Sequence, residues 1–257
     1  MFRDGFIFSD PSTLAVAILV AVLVGLSKGG LGGAMAILGV AILSLIIPPV
    51  QAAGILLPIL LVMDFIGCWI WRKHWDLGMV WLMLPAGLFG VLVGWALATV
   101  ISDAVVRLII GTIAVVYLAT YLRSLVSANM TPRAPNRLRG AFWGMLSGYG
   151  SFVAHAGGPA YQIYAMPLRA TPAVYTATST LFFTLINIAK SAPYAALGQF
   201  SAVNLTAAAV LMPVAGVATF LGAWLVKRIP MGVFYPFMHL MLGLVAAKLI
   251  WDGILGL

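Results

Sequence analysis

Long apolar runs separated by short polar interruptions make up nearly the whole chain. The runs fall roughly at Leu14–Leu26, Leu31–Ile47, Val50–Trp71, Met79–Val100, Val105–Leu125, Leu138–Ala154, Pro159–Met166, Ala173–Leu197, Val203–Val226 and Met231–Leu255. Six of them reach the roughly 20 residues that a membrane-spanning helix needs. The first, second, sixth and seventh are short or glycine-interrupted. They form two pairs, and each pair straddles a glycine-rich stretch. One stretch is Gly25-Leu26-Ser27-Lys28-Gly29-Gly30-Leu31-Gly32-Gly33; the other runs from Ser147-Gly148 through His155 to Gly157-Gly158-Pro159. A glycine in a helix interior costs roughly 1 kcal/mol relative to alanine, so both stretches predict helix breaks. Backbone freed inside a bilayer survives only where it is buried in protein or lines a wet cavity. The pattern therefore predicts an all-α, polytopic membrane protein with two interrupted hairpins.

The two halves match in order. Pro85 and Gly94 recur as Pro213 and Gly222 at one offset of 128 residues, and Gly32-Gly33 recurs as Gly157-Gly158 at 125. Asp64 falls near Asn187 when the long segments are aligned. Each half reads as a broken or re-entrant hairpin plus three long transmembrane helices. The halves are taken as residues 1–130 and 140–257, joined by a basic linker at 131–139.

Charge orients the halves. Arg123, Arg133, Arg137 and Arg139 cluster around the central linker, which the positive-inside rule places in the cytoplasm. Counting outward puts Arg72, Lys73, Arg169, Lys227 and Arg228 on the same side, while the turns at Pro48-Pro49, Ser102-Asp103 and Gly198-Gln199 carry almost no basic charge. The basic turns of one half correspond to the uncharged turns of the other, so the repeats read as inverted. Both termini then face away from the cytoplasm.

Composition sharpens this picture. Mean hydropathy is +1.10, and only 8% of residues are charged, which excludes a soluble domain of this length. The net charge of +8 is explained by the loop distribution rather than by nucleic acid. Cys68 is the only cysteine, so neither an internal disulfide nor a cysteine metal cluster is expected. Met1 to Asp10 lacks a basic n-region with a cleavage site, and no cleaved signal peptide is read there.

Candidate chemistry concentrates at the breaks. Lys28 lies among glycines, and a helix N-terminus beside it would add about half a positive charge. The expected substrate-binding set is Lys28 with the backbone N–H groups of Gly29, Gly30, Gly32, Gly33, Gly157 and Gly158, plus His155. The alternative for Lys28 is a side chain that snorkels to the headgroups; for His155 it is a histidine bonded to a carbonyl. Asp64, Asn187 and Lys190 are candidates for proton coupling or cavity lining, as are Gln51, Ser179 and Thr180. An Asp64–Lys190 pair that merely holds the halves together fits the sequence equally well. Arg107 and Lys248 read as snorkelling, His239 as structural, and Trp69, Trp71, Trp75 and Trp81 as an interface belt around one turn. There is no H-E-x-x-H, G-x-S-x-G or P-loop motif, so no enzyme, catalytic residue, metal or cofactor is expected.

The two glycine stretches and the paired Pro-x8-Gly helices resemble the sulfite exporter TauE/SafE family of membrane permeases, over about Leu14 to Leu255. The second stretch departs from the family's more glycine-rich run at Ala154-His155-Ala156. The resemblance implies transport of a small sulfur-containing anion, such as sulfite or an organosulfonate, across the bacterial inner membrane. The sequence reading is thus a secondary transporter, working by alternating access about a cationic midplane site. An anion channel and a membrane-embedded enzyme of sulfur metabolism are the alternatives. The expected partners are a small anion and the lipid bilayer, with a homo-oligomer as a further candidate and no nucleic acid.

Overall fold

The computed structural model describes residues 7–30, 36–97, 103–126 and 132–256, and no strand occurs among them. The helices are α1 (Pro11–Gly30), α2 (Ala36–Leu43), α3 (Pro49–Trp71), α4 (Leu77–Ala96), α5 (Asp103–Val126), α6 (Arg137–Ala154), α7 (Gly157–Ala165), α8 (Pro172–Ala196), α9 (Ala202–Val226) and α10 (Met231–Leu255). Local chemistry sets many of the starts. Asp76, Asn136, Thr171 and Ser201 each accept a backbone N–H from the first turn of the helix that follows. Proline occupies the first turns of α1, α3 and α8, where its missing N–H is harmless. Asp10 precedes α1 and accepts from the Ser12 and Thr13 amides and the Ser12 hydroxyl. The Ser12 hydroxyl bond is the main reason its carboxyl is held below the ordinary value of 3.8. α6 begins at Arg137, so the last three residues assigned to the linker, 137–139, are already helical.

Among the described residues, six helices are long and apolar enough to cross a membrane: α1, α3, α4, α8, α9 and α10. The inclusion of α1 corrects the sequence reading. Gly25 and Gly29 do not break this helix, which ends within the glycine-rich stretch at Gly30. They are contact points instead. A Cβ on Gly29 would stand 2.0 Å from the Thr219 carbonyl oxygen of α9, and one on Gly222 would stand 2.3 Å from the Leu26 carbonyl oxygen of α1. The other half repeats the device. A Cβ on Gly148 of α6 would meet the Gly87 carbonyl oxygen of α4 at 1.9 Å, and one on Gly90 would meet that of Met145 at 2.0 Å. Lipid gives helices little hydrophobic reason to associate, so backbones approach through small residues and gain dispersion contact.

The helix partnerships follow a two-fold pattern. α1 packs chiefly on α9 and α6 on α4, so each interrupted element lies against a helix of the opposite half. α3 meets α8, α5 meets α10, and α3–α9 is mirrored by α8–α4. Polarity is inverted relative to a soluble protein. Phe65, Trp69, Trp81, Phe89, Val217, Leu240 and Trp251 are exposed on the outside. Lys28, Asp64, Ser151, His155, Gln162, Asn187 and Lys190 are buried. An apolar exterior around a polar interior is the arrangement a bilayer selects.

Candidate functional site

The site is assembled on one face of α8. Thr176, Phe183, Asn187, Lys190 and Tyr194 recur at helical spacing and form a stripe along this helix. All are buried. The stripe meets the C-terminal ends of α1 and α6, each of which leaves carbonyls without a partner in its own helix.

At the α1 end, the Gly29 carbonyl accepts from the Trp71 indole N–H at 2.9 Å, and the Gly30 carbonyl accepts from the Thr176 hydroxyl at 2.8 Å. Lys28 lies in the last turn of α1, where the helix dipole favours a cation. Its Nζ donates to Asp64 Oδ1 of α3 at 2.6 Å. Asn187 Nδ2 donates to the other oxygen of Asp64 at 2.5 Å. The Lys28 ammonium also stands 5.4 Å from the centre of the Phe183 ring. Asp64 therefore pairs with Lys28, not with Lys190 as the sequence had allowed.

At the α6 end, His155 occupies the left-handed region (φ 51), a conformation in which only a few per cent of non-glycine residues are found. This turn ends α6, and α7 starts two residues later at Gly157. Lys190 Nζ donates to the Ser151 carbonyl at 2.9 Å, to Ser151 Oγ at 3.1 Å and to His155 Nδ1 at 2.9 Å. His155 Nε2 is 3.2 Å from the Ala53 carbonyl. A carbonyl only accepts, so Nε2 carries the ring proton and Nδ1 is free to accept from lysine. The geometry fits a neutral imidazole and a fully donating ammonium.

Phe183 links the two ends, because a Cβ on Gly157 would stand 2.9 Å from its ring. Gly157 and Gly158 open α7, and their amides have no acceptor among the described residues. Ala156, the capping position, offers no side-chain acceptor either. Gln162 follows in the next turn, with no exposed surface and neither amide atom hydrogen-bonded. Helical side chains lean toward the N-terminus, so the Gln162 amide lies over Gly158.

The remaining sequence candidates divide as follows. Gly29 and Gly30 lie within the last turn of α1, where their N–H groups belong to the helical ladder and are not free donors. Gly32 and Gly33 lie outside the described residues. Gln51 donates to Asn204 Oδ1 at 3.0 Å, away from the lysines. The Ser179 hydroxyl returns to the Thr176 carbonyl of its own helix at 3.0 Å, and Thr180 presents its methyl group to Gly67. Trp71, read as an interface residue, is buried and bonded to Gly29. Lys248 pairs with Asp252, and His239 meets the Tyr235 carbonyl at 2.6 Å.

Discontinuous helices that end near the middle of the bilayer are a feature of membrane carriers, and ionisable residues buried there mark functional sites. The family model described as sulfite exporter TauE/SafE matches residues 17–249. The chain belongs to the TauE/SafE family. Membership makes it a multi-pass membrane protein of the sulfite and sulfur-anion exporter class, and the match contains every residue of the cluster. No curated protein and no solved structure matches the chain. Within this TauE/SafE chain, sequence reasoning missed Ser151, Phe183 and Gln162. Phe183 could have been found from its place four residues before Asn187 on one helical face. Ser151 is called on only by the fold of the α6 terminus.

Proposed function

We propose that the protein is a secondary transporter that carries a small sulfur-containing anion, sulfite or an organosulfonate, across the bacterial inner membrane. The observation that carries this reading is Lys190. It is fully buried, and no carboxylate among the described residues pairs with it. Asp64 is committed to Lys28 and Asn187. Among the described residues the cluster thus holds two lysines, Lys28 and Lys190, against one carboxylate, which leaves one positive charge over. A buried charge without a counter-charge costs several kcal/mol, and an entering anion supplies that counter-charge.

The anion's oxygens would accept from Lys190 and from the Gly157 and Gly158 amides at the head of α7, where the dipole adds to the attraction. Lys28, held by Asp64, sets the second wall across Phe183. His155 orients Lys190 and can exchange a proton with it. Alternating access would come from rocking of the interrupted elements against their opposite-half partners, α1 on α9 and α6 on α4. A membrane potential negative inside drives an anion outward by about 2.3 kcal/mol per charge per 100 mV, so export needs no coupling ion.

The test is sulfite and sulfonate flux into proteoliposomes. Lys190→Met should lower flux at least about tenfold, because a charge-assisted contact is worth about 1.5–3 kcal/mol. Its melting temperature should change little, since removal of a buried charge without a counter-charge offsets the loss of the donor to Ser151 and His155. Unchanged flux in this variant would remove the anion from Lys190 and overturn the reading.

A further inference from the structure

A file of aromatic rings runs from the lysine cluster toward the basic end of the molecule. The Lys28 ammonium stands 5.4 Å from the Phe183 ring centre. Phe183 is 5.5 Å from Tyr161 between ring centres, Tyr161 is 6.0 Å from Tyr175, and Tyr175 is 6.3 Å from Tyr235. The Arg169 guanidinium lies 5.3 Å from the Tyr235 ring. Arg169 belongs to the short loop before α8, one of the loops whose charge assigns them to the cytoplasm.

Within this file the hydroxyls behave in two ways. Tyr235 donates to the Ala170 carbonyl at 2.6 Å and has an evident structural use. Tyr161 and Tyr175 are 1% and 2% exposed, and neither hydroxyl has a hydrogen-bond partner among the described residues. An unpaired buried hydroxyl costs about 1–3 kcal/mol, and phenylalanine would fill either position without that cost. The Trp75 indole N–H is a third unpaired buried donor. Its neighbour Asp76 receives the Thr178 hydroxyl oxygen as acceptor for its backbone N–H at 3.0 Å, which pins the turn one helical turn beyond Tyr175 on α8.

We infer that Tyr161 and Tyr175 form the inner leg of the anion's route, closed in this conformation, and that their hydroxyls donate to the oxygens of the passing anion. The proposal rests on the transport reading above and extends it to residues that touch none of the charged groups. Ring edges and hydroxyls suit a small oxyanion. An apolar solute would have no use for the hydroxyls. In this conformation the tilted and edge-to-face contacts of Phe183, Tyr161 and Tyr175 lie between the lysine cluster and the basic end.

Tyr161→Phe, Tyr175→Phe and the double variant separate this role from a structural one. Sulfite flux is measured in proteoliposomes alongside the melting temperature, with Tyr235→Phe as a comparison that loses a real hydrogen bond. The expected result is a melting temperature equal to or above that of the parent in Tyr161→Phe and Tyr175→Phe. Flux in each should fall about tenfold, the worth of one hydrogen bond to an ion, with the loss in the double variant larger than in either single one. Parent-level flux in the double variant would overturn the inference while leaving the transport reading intact. A melting temperature that falls in parallel with flux, as expected for Tyr235→Phe, would also overturn it by showing a structural use. A parent protein that moves no sulfur oxyanion at all marks failure of the transport reading itself.

Discussion

At the scale of single residues, the interior is governed by which charges are paired. Asp64 has both oxygens occupied, by Lys28 at 2.6 Å and Asn187 at 2.5 Å. Removing only one member of such a pair strands the other in a medium that cannot solvate it. Asp64→Leu should therefore destabilise the protein by about 3–5 kcal/mol, whereas Lys28→Met combined with Asp64→Leu should recover most of that loss. Thermal denaturation in detergent of the two single variants and the double variant gives the coupling directly; purely additive losses would mean that the pair contributes nothing. Gln162 presents the opposite case. Both of its amide atoms are buried and unpaired, so Gln162→Leu should keep or raise the melting temperature while weakening sulfite transport at the α7 terminus. Little of this was legible in the sequence. Lys28, Asp64, Asn187 and Lys190 stood out because polar and ionisable groups in apolar runs are rare. Their partners did not, since pairing depends on helix rotation and not on spacing along one chain.

At the scale of elements, the glycines decide how closely helices approach. Gly29 of α1 faces the Thr219 carbonyl of α9 with no room for a Cβ, and Gly148 of α6 faces the Gly87 carbonyl of α4 in the same way. Gly29→Ala and Gly148→Ala should each lower stability by about 1–3 kcal/mol or more, because backbone cannot move aside as a side chain does. Gly232→Ala, where nothing lies within 4 Å, should leave the melting temperature unchanged. The helix starts, by contrast, follow their caps. The Asp10 carboxyl, held below 3.8 by the Ser12 hydroxyl, should stabilise the first turn of α1 at neutral pH. That contribution is complete above the unfolded-state pKa and is lost as pH falls through the lower folded-state value. Hydrogen-exchange protection at Ser12 and Thr13, taken relative to the intrinsic exchange rate at each pH, should fall only in that acid range. The sequence placed most boundaries within a few residues because caps and prolines act locally. It located the first helix end only to within the glycine stretch, which α1 enters and leaves at Gly30, because a glycine costs the same in isolation whether it ends a helix or seats one. The four-residue spacing of Gly25 and Gly29 was the available signal, and it is the spacing that lets two helix backbones touch.

At the scale of the whole molecule, two matched sets of helices pack with their interrupted members exchanged. In a cysteine-free Cys68→Ser background, cysteines introduced at Arg137 and Arg228 should react with an impermeant thiol reagent from the cytoplasmic side. Those at Pro48 and Ser201 should react only from the other side. All four native residues are exposed, and labelling of all four from one side would exclude the inverted arrangement. The amino-acid sequence by itself determined the all-helical membrane class, the ordered recurrence of the halves and the presence of lysines in apolar surroundings. Hydropathy, caps and charge act over a few residues, so they are readable one segment at a time. Only the tertiary structure decided that Lys28 takes Asp64, that Lys190 is left without a carboxylate, and that unpaired tyrosine hydroxyls lie between them and the basic end. Those outcomes depend on the rotation and depth of each helix against its neighbours, which backbone contact at Gly29, Gly148 and Gly222 sets between residues far apart along the chain.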